Sequence, residues 1–428
     1  KGPVMSSSTT EAPKLQRTGL LGPDTTWHLA FGVLAVGALA LCISWALGYT
    51  DTAHTTLLIT TIVVGMFTSI LGWMTTGLAE AFSFEITPNT VLDLTVFLGD
   101  YIYEYGITAA NLWRQGAEVT PAHAVEIETL EQYRLRYALT KSDPHLQALH
   151  ARAAAVAIWD DHEVQNDYVA SESSTGIPAE LFAHRIAVAY RAFYENLPVD
   201  IDALPEGPES DIVAGLDVGA LARISLLDTR QFRDAPPADA ADREREDRTM
   251  LGAAQERWVT ERLRTSQSQW NVLAGGVVLA PISDDRTDQW DGYPAARRRL
   301  LTEMTRAGNA VMLTGDIHKH VAAELRGEAA GLPAGPAGVE LVTTSAASDG
   351  DGAKTDKYTP DWVRHDYVRH YDGRRGYVHV RLTPQEMTSS FWVVPWIEAD
   401  DTAPKELSAR FSTRAGEPGL APAGEDRA

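Results

Sequence analysis

The sequence predicts an α/β fold, because apolar stretches of strand length alternate with stretches of helical periodicity over most of the chain. A second observation is that three of the apolar stretches end in an aspartate, with histidine, tyrosine or asparagine close by. A third is that two long uncharged stretches precede this region. Together these observations predict an α/β domain that follows a membrane-associated N-terminal segment.

Composition limits the possible classes of protein. The chain has 428 residues and a net charge of −21, which argues against a nucleic-acid-binding protein with a basic surface. The length allows one large domain or two. The only cysteine is Cys42, so an intrachain disulfide is impossible.

The N-terminal region is predicted to associate with a membrane. Residues 1–26 are rich in Ser, Thr, Pro and Gly and are predicted to be disordered. Within 27–80, residues 27–49 and 55–78 carry no charged side chain, and each exceeds the roughly 20 residues that span a bilayer. We predict a hairpin of two transmembrane helices there, with buried core helices as the alternative. Lys14 and Arg17 favour a cytoplasmic N-terminus, but they leave open on which side the following domain lies.

The rest of the chain divides into elements by periodicity and by turn residues. Predicted helices cover 125–139, 144–150, 178–197, 251–265 and 295–307. Predicted strands cover 92–98, 155–158, 221–228, 270–280, 310–314, 377–382 and 389–394. Residues 234–249 are predicted to be a mobile loop, and 401–428 a disordered tail after a domain at 81–400.

The polar cluster after the strand at 155–158 contains acidic and imidazole groups in close succession. Asp160, Asp161 and His162 follow the strand almost directly, and Asn166 comes shortly after them. Crowded carboxylates cost repulsion and desolvation unless a positive charge compensates them. A multivalent cation is the usual compensation, and a solvated acidic turn is the alternative.

Two more strands end in the same way. Gly99-Asp100 follows one strand, with Tyr101 and Tyr103 after it, and Gly315-Asp316 follows another, with His318 and His320 after it. Because ligands of α/β sheets sit at the carboxyl ends of strands, three such ends side by side predict a site for two metals.

These segments resemble the PhoD-type alkaline phosphatases, metal-dependent enzymes of the calcineurin-like metallophosphatase superfamily. The resemblance covers roughly 90–395 and rests on segments in the family order: FLGDYIYEYG (97–106), YRLRYAL (133–139), WDDHEVQNDY (159–168), AYRAFYENLP (189–198), LDTRQFRD (227–234), WNVLA (270–274), DQWDGYPAAR (288–297), LTGDIH (313–318), TTSAASDGDG (343–352) and GRRGYV (373–378).

The resemblance implies an αββα sandwich and hydrolysis of phosphate monoesters, diesters or both by a metal-bound hydroxide. It implies Fe(III) and Ca²⁺ as cofactors, a phosphate-ester substrate and an exported or cell-surface location. It also implies these roles: Asp100, Tyr103, Asp161, Asn166, Asp316 and His318 as metal ligands; His162 and Asn166 as catalytic residues; His162 as a phosphate-binding residue. Arg191 could bind phosphate through two parallel N–H donors, and a salt-bridged surface arginine is the alternative.

Several roles stay open at this point. Asp143 is either the N-cap of the helix that starts at Pro144 or a ligand near the metals, and Asp160 is either a structural cap or a ligand. We expect His320 to be a surface or supporting histidine. Arg230 is expected to be buried and paired rather than in contact with substrate.

The chain also departs from the family pattern. The family has a small β domain and then a cysteine ligand on a strand ahead of Gly99, whereas Cys42 lies in an uncharged stretch. We therefore expect the central sheet to lack its first strand and to expose an edge. The alternative to a membrane-anchored phosphohydrolase is a non-catalytic membrane protein with a degenerate phosphatase-like domain. The sequence does not predict an oligomeric state.

Overall fold

The structure is a computed structural model, and it describes residues 92–108, 118–283, 285–326, 335–400 and 402–424. The chain divides into two units, 1–91 and 92–428, and all described residues belong to the second. The predicted disordered N-terminus and both predicted spans therefore lie outside the described residues. Among the described residues, no helix is both long and apolar enough to cross a bilayer.

The described chain alternates strands and helices, as the sequence predicts. The strands are β1 Leu94–Leu98, β2 Ala154–Ile158, β3 Ala214–Val218, β4 Ala222–Leu227, β5 Trp270–Gly275, β6 Ala310–Thr314, β7 His320–Arg326, β8 Pro336–Val342, β9 Gly352–Ala353, β10 Val368–Leu382, β11 Glu386–Val394, β12 Glu406–Arg414 and β13 Glu417–Pro422. The α-helices are α1 Leu130–Lys141, α2 Pro144–Arg152, α3 Ala179–Asn196, α4 Ala240–Arg243, α5 Gly252–Arg264, α6 Pro294–Ala307 and α7 Thr359–Val363.

The strands form two sheets of unequal size. β1 and β2 pair in parallel as a two-stranded sheet. The large sheet has the order β13-β12-β11-β10-β7-β8-β6-β5-β4-β3, and β9 pairs with β10. β4, β5, β6 and β8 run parallel to one another, while the other neighbours are antiparallel. The mixed α/β fold predicted from the sequence is confirmed.

β1 has a strand neighbour on one side only. Within the described part of the chain it pairs with β2, and all five of its residues are partly exposed. Helix α2, which leads into β2, has no fully buried residue. This end of the molecule is therefore covered less well than the large sheet, whose central strand β5 is buried along its full length.

Capping residues fix where the helices before β2 begin. Thr129 Oγ1 accepts a hydrogen bond from the backbone N–H of Gln132, and Oε1 of Gln132 accepts one from the backbone N–H of Thr129, which is a capping box. Asp143 accepts from the N–H groups of His145 and Leu146, with Pro144 at the first helical position. The interpretation of Asp143 as an N-cap is confirmed.

Aromatic packing fixes the position of the chain that leaves β2. The ring of Trp159 stacks on Tyr190 of α3 with centroids 4.0 Å apart, and Phe193 meets it edge-on at 5.3 Å. All three side chains are fully buried. Burial of such rings contributes several kcal/mol, so the residues that follow Trp159 start from a rigid anchor.

Two predictions for irregular segments are wrong. The predicted disordered tail contains β12 and β13, because alternate residues there face the sheet and Phe411 and Leu420 are buried against it. The predicted mobile loop at 234–249 contains α4, and it is held by Arg248, which is buried and donates to Asp242. Composition rich in Ala, Pro and charged or small residues hid both features, although the partners are close in sequence.

Candidate metal centre

The end of β1 reaches the centre through a tight turn. Gly99 has φ +99°, and a Cβ there would lie 2.3 Å from the Cβ of Asp160, so only glycine allows the two strand ends to approach this closely. Asp100 follows with φ +53°, a left-handed conformation that is uncommon for residues other than glycine. Asp316 and His318 have the same sign of φ, at +65° and +53°. Three of the predicted ligands, Asp100, Asp316 and His318, therefore have a strained backbone conformation.

Glu163 joins the ends of β1 and β2. Its buried carboxylate accepts backbone hydrogen bonds from Asp100 at 3.0 Å, Tyr101 at 2.7 Å and Asp160 at 2.9 Å. Three donors satisfy a carboxylate that burial would otherwise penalise. Glu163 therefore fixes the backbone from which Asp100 and Asp161 project.

Asp100, Asp161 and His162 form the first of two groups of possible ligands. One donor atom from each lies within 4.8 Å of the others. The Asp161 oxygens accept backbone N–H groups of His162 and Asp167 at 3.0 and 2.7 Å. Burial alone would raise the pKa of Asp161, but the charges of Arg230 and His162 outweigh it and lower that pKa to about 2. Asp161 is therefore ionised and held in a fixed orientation.

His162 is held by Glu104, a residue that the sequence analysis did not identify. Its Nδ1 lies 2.7 Å from Oε2 of Glu104, while Oε1 of Glu104 accepts the backbone N–H of Asn166. Burial lowers the pKa of His162, but Glu104, Asp161 and Asp100 raise it to about 10. The neighbouring carboxylates therefore favour the protonated ring, and the contact of Nδ1 with Glu104 leaves Nε2 as the other ring nitrogen.

The second group contains Asp160, Asp161 and Asp316, also within 4.8 Å of one another. The fully buried guanidinium of Arg230 lies among them. Its Nε is 2.6 Å from Asp160 Oδ1, and its Nη2 is 2.8 Å from Asp316 Oδ1 and 3.5 Å from Asp161 Oδ2. Arg230 also pairs with Asp288 at 3.0 Å. The expectation that Arg230 is buried and paired is confirmed.

Asp316 is fixed from two sides. Oδ1 accepts from Arg230, and Oδ2 accepts from Nε2 of Gln289 at 2.6 Å. Gly276 backs the neighbouring carboxylate, because a Cβ there would lie 2.3 Å from Asp160 Oδ1. The loop from Gly276 to Gln289 therefore supports the carboxylates of both strand ends.

Tyr103 and His318 are in contact at the centre, and they lie on loops that follow strands of the two different sheets. The Tyr103 hydroxyl oxygen lies 2.7 Å from His318 Nε2 and 3.3 Å from Asp100 Oδ2. His318 Nδ1 lies 2.6 Å from Asp349 Oδ2. Burial first, and then the charge of Asp100, raise the pKa of Tyr103. Coordination as a phenolate therefore requires a cation strong enough to displace the phenolic proton.

Asn166 and Arg191 are predicted site residues that lie outside both groups of possible ligands. Asn166 is on the loop after His162, and its side-chain amide donates to Asp167 at 2.8 Å. Arg191 is on an exposed part of α3, and its Nε pairs with Glu195 at 3.0 Å. Its hydrogen bonds among the described residues do not reach Asp100, Asp161 or Asp316.

The histidine outside the ligand pattern is a core residue. His320 is fully buried in β7, where Nε2 lies 3.1 Å from the carbonyl of Trp392 and Nδ1 accepts the N–H of Thr344. Of the two roles expected for His320, surface or supporting, the surface position is wrong, because every residue of β7 except its last, Arg326, is buried.

The oxygen and nitrogen atoms that meet at the centre are suited to binding cations. Asp100 Oδ1 is a buried carboxylate oxygen without a hydrogen-bond partner among the described residues, beside Asp161 and His162. An unsatisfied buried oxygen of an acid is costly, and a coordinated cation removes that cost. Carboxylate and phenolate oxygens with imidazole suit a hard cation at the first group, whereas the guanidinium of Arg230 already compensates the carboxylates of the second.

Sequence reasoning missed the residues that orient these ligands: Glu104, Glu163, Gln289 and Asp349. Glu104 and Glu163 stand inside the quoted motifs, so their spacing was a usable signal. Gln289 and Asp349 also stand inside quoted motifs, at 288–297 and 343–352, but their contacts with Asp316 and His318 arise from folding that brings separate loops together.

Comparisons with known proteins find similar sequences and a similar fold. A family model described as PhoD-like phosphatase matches residues 67–391. Alkaline phosphatase D of Bacillus subtilis is 36% identical over 342 residues, covering 76% of this chain and 57% of that protein. A solved structure of PhoD shares 34% identity with a TM-score of 0.71, covering 78% of this chain and 67% of that one.

The chain spans only 57% of the length of the Bacillus subtilis protein. A separate 53-residue match, 43% identical, is to a candidate phosphate permease of Mycobacterium bovis and covers 12% of this chain and 10% of that one. The resemblance drawn from the sequence motifs is confirmed by the family model and by the fold. The chain belongs to the PhoD-like phosphatase family.

Proposed function

We propose that this chain hydrolyses phosphate monoesters, diesters or both at the centre formed by Asp100, Asp161 and Asp316. The observation that carries the proposal is the pair of carboxylate groups that share Asp161, with an unpartnered buried oxygen on Asp100. Membership of the PhoD-like phosphatase family supports phosphate-ester chemistry as the reaction class.

The proposed cofactors are Fe(III) and Ca²⁺. Asp100, Tyr103 and His318 would hold one ion, and Asp161, Asn166 and Asp316 would hold the other. Metal ions bound there would lower the pKa of coordinated water and neutralise charge on phosphoryl oxygens.

His162 is the proposed proton donor. Its ring is protonated because Glu104, Asp161 and Asp100 outweigh burial, and Glu104 holds Nδ1 so that Nε2 is free to face substrate. In the reaction, water adds to phosphorus, the ester P–O bond breaks, and the leaving oxygen takes a proton that His162 can supply. No side-chain nucleophile and no covalent enzyme intermediate are required.

Assays with paired substitutions test this proposal. Wild-type protein should hydrolyse p-nitrophenyl phosphate, bis-p-nitrophenyl phosphate or both, and added iron and calcium should increase the rate. Asp100→Ala and Asp316→Ala should each lower the rate at least a hundredfold, while Arg245→Gln, an exposed control, should not change it. Unchanged rates in both aspartate variants would reject the centre.

The same assay separates the alternative function. A non-catalytic, degenerate domain would show no hydrolysis of either ester at any metal concentration, and the purified protein would retain neither iron nor calcium. Membrane anchoring through residues 27–80, with export of the domain, remains part of the proposal. Extraction of membranes with alkaline carbonate tests it, because an integral anchor stays in the pellet.

A further inference from the structure

Three residues beside the metal centre have a left-handed backbone, and one buried arginine donates to the carbonyl of each. The three are His318, Asp349 and Gly350, with φ of +53°, +62° and +64°. Arg375 of β10 is 1% exposed, and its Nη1, Nη2 and Nε lie 2.9, 3.5 and 2.8 Å from those carbonyl oxygens in the same order. The proposed reaction gives no role to the motif at 373–378 that contains this arginine.

The hydrogen bonds of Arg375 all end on uncharged oxygens. Besides the three carbonyls, its Nη1 donates to the hydroxyl of Thr344 at 3.2 Å. Among the described residues, no carboxylate accepts a hydrogen bond from this guanidinium. Burial of a charge without an acidic partner is costly. The rigid fork of donors therefore serves to hold several backbone oxygens at once, which the ammonium group of lysine cannot do.

The strand that carries Arg375 is itself held firmly. Arg375 pairs with Val394 of β11. A Cβ at Gly376 would clash with the carbonyl oxygen of Trp392, and the Gly376 N–H donates to the carbonyl of Ser345 at 3.2 Å. Left-handed conformations of residues other than glycine persist only where the surrounding structure imposes them. Arg375 thus links a closely packed strand to a strained part of the backbone.

The strained backbone carries two side chains of the centre. His318 Nδ1 lies 2.6 Å from Asp349 Oδ2, and His318 Nε2 lies 2.7 Å from the hydroxyl oxygen of Tyr103. Arg375 contacts the backbone of His318 and Asp349 rather than their side chains. A rotation of the backbone at either residue would turn the imidazole away from Tyr103.

We propose that Arg375 is a positioning residue, which sets the orientation of the His318–Asp349 pair by holding the carbonyls of both residues. The consequence for iron binding rests on the proposed function, in which His318 is an iron ligand. The holding of the two backbone segments does not rest on it.

The same motif supplies a matched control. Arg374 precedes Arg375, but its Nη2 pairs with Asp372 at 2.8 Å and its Nη1 with Glu406 at 2.6 Å. Its hydrogen bonds among the described residues therefore do not reach the centre. Arg374→Lys and Arg375→Lys make the same chemical change at adjacent positions, and both keep the positive charge.

Hydrogen–deuterium exchange of the full-length chain in excess chelator tests the holding of the backbone without metal or substrate. Arg375→Lys should speed exchange of peptides from 316–320 and 344–351 by about tenfold, while peptides from β5 should keep the wild-type rate. Arg374→Lys should match wild type in all of these peptides. Unchanged exchange in Arg375→Lys, or an equal increase throughout the domain, would overturn the proposal.

Iron affinity, measured by competition with a chelator, tests the effect on His318. Replacement of a residue that orients a metal ligand weakens metal binding about 10- to 100-fold, and we expect this of Arg375→Lys but not of Arg374→Lys. In a His318→Ala background the same substitution should weaken binding by less than about twofold, because its effect passes through His318. An equal loss in both backgrounds would show a general structural role and overturn the proposal.

A second variant decides the outcome where Arg375→Lys does not fold. Gly350→Val leaves the arginine in place, but valine is strongly disfavoured at φ +64°. Exchange should then increase in 316–320 as well as in 344–351, because Arg375 joins the two segments, and an increase confined to 344–351 would contradict the proposal. Wild-type protein that binds no iron would reject the proposed function, and the exchange data alone would then decide the role of Arg375.

Discussion

The hydroxyl oxygen of Tyr103 lies 2.7 Å from Nε2 of His318, although the two residues are 215 positions apart in the chain. Tyr103 follows β1 of the two-stranded sheet, and His318 follows β6 of the large sheet. Asp349 extends the chain of contacts, with its Oδ2 2.6 Å from His318 Nδ1. This contact joins the loops of the two sheets at the position where the proposed ligands meet.

Replacement of Tyr103 by Phe should remove an iron ligand. Phenolate bound to Fe(III) gives a charge-transfer band in visible light, so iron-loaded wild-type protein should be coloured. We expect Tyr103→Phe to lose the band and most of the hydrolytic rate. Tyr105→Phe is the matched control, since Tyr105 is half exposed, and it should keep the band. Visible spectra of the two variants distinguish these outcomes, and a band that survives in Tyr103→Phe would contradict the assignment.

Replacement of Arg230 by Met should destabilise the domain strongly. Removal of the buried guanidinium leaves Asp160, Asp161 and Asp316 without their shared partner. Loss of one member of a buried charge group costs about 3–5 kcal/mol, so the urea midpoint of chelated protein should fall by more than 1 M at ordinary m-values of roughly 1–3 kcal/mol/M. Arg245→Met removes an exposed arginine and should leave the midpoint unchanged. Equal midpoints in all three proteins would show that Arg230 does not hold the cluster together.

Replacement of Gly276 by Ala should disturb Asp160. The added methyl group would lie 2.3 Å from Asp160 Oδ1, so the carboxylate must move away from Arg230. Overpacking of this kind costs about 1–3 kcal/mol, and we expect lower thermal stability together with weaker metal binding. Gly207→Ala has open space around the new methyl group and is the control. Melting curves that coincide for the two variants would argue against the close packing of Gly276 on Asp160.

His370 should make stability depend on pH below neutrality. Burial lowers the pKa of His370 to about 4, and Asp372 opposes this only in part. Because the unfolded chain then takes up the proton first, stability is lost as pH falls from about 6.5 to about 4, by at most roughly 3 kcal/mol. The slope of unfolding free energy against pH in that window should be smaller in His370→Gln than in wild type.

The control for this titration is His184→Gln, because His184 is exposed on α3. Its unfolding free energy should follow the wild-type pH dependence between pH 4 and 6.5. If the His370 variant also follows the wild-type curve, the buried histidine is not responsible for the acid sensitivity.

Local patterns in the sequence were sufficient to predict much of the fold. The strand at 310–314 was predicted with the bounds that it has, and α3 and α6 within one residue at each end, because their apolar periodicity is strong and a proline marks the start of each helix. The helix predicted from Val125 begins at Leu130 instead, since the Thr129 capping box sets its start. β12 and β13 were missed because the stretch is rich in Ala, Pro, Gly and Glu, which hid an antiparallel β11-β12-β13 arrangement of strands that are neighbours in sequence.

The residues of the candidate centre also fall into those that a local sequence pattern predicts and those that it does not. Asp100, Asp161 and Asp316 could be predicted because each follows an apolar strand directly, and the structure brings the three strand ends together. Glycine before two of them was also informative, since close approach of the backbone requires it at Gly99. The positions of Gln289 and Asp349 depend on how separate loops converge, which no local pattern encodes.

Metal content measured on purified wild-type protein and on Asp161→Asn tests the central claim most directly. Asp161 belongs to both groups of possible ligands, and the substitution keeps its shape while removing its charge. After dialysis, elemental analysis should find iron and calcium bound to wild type and a substantially lower content in the variant. Wild-type protein that hydrolyses phosphate esters without bound metal, at a rate that chelator does not change, would contradict the account.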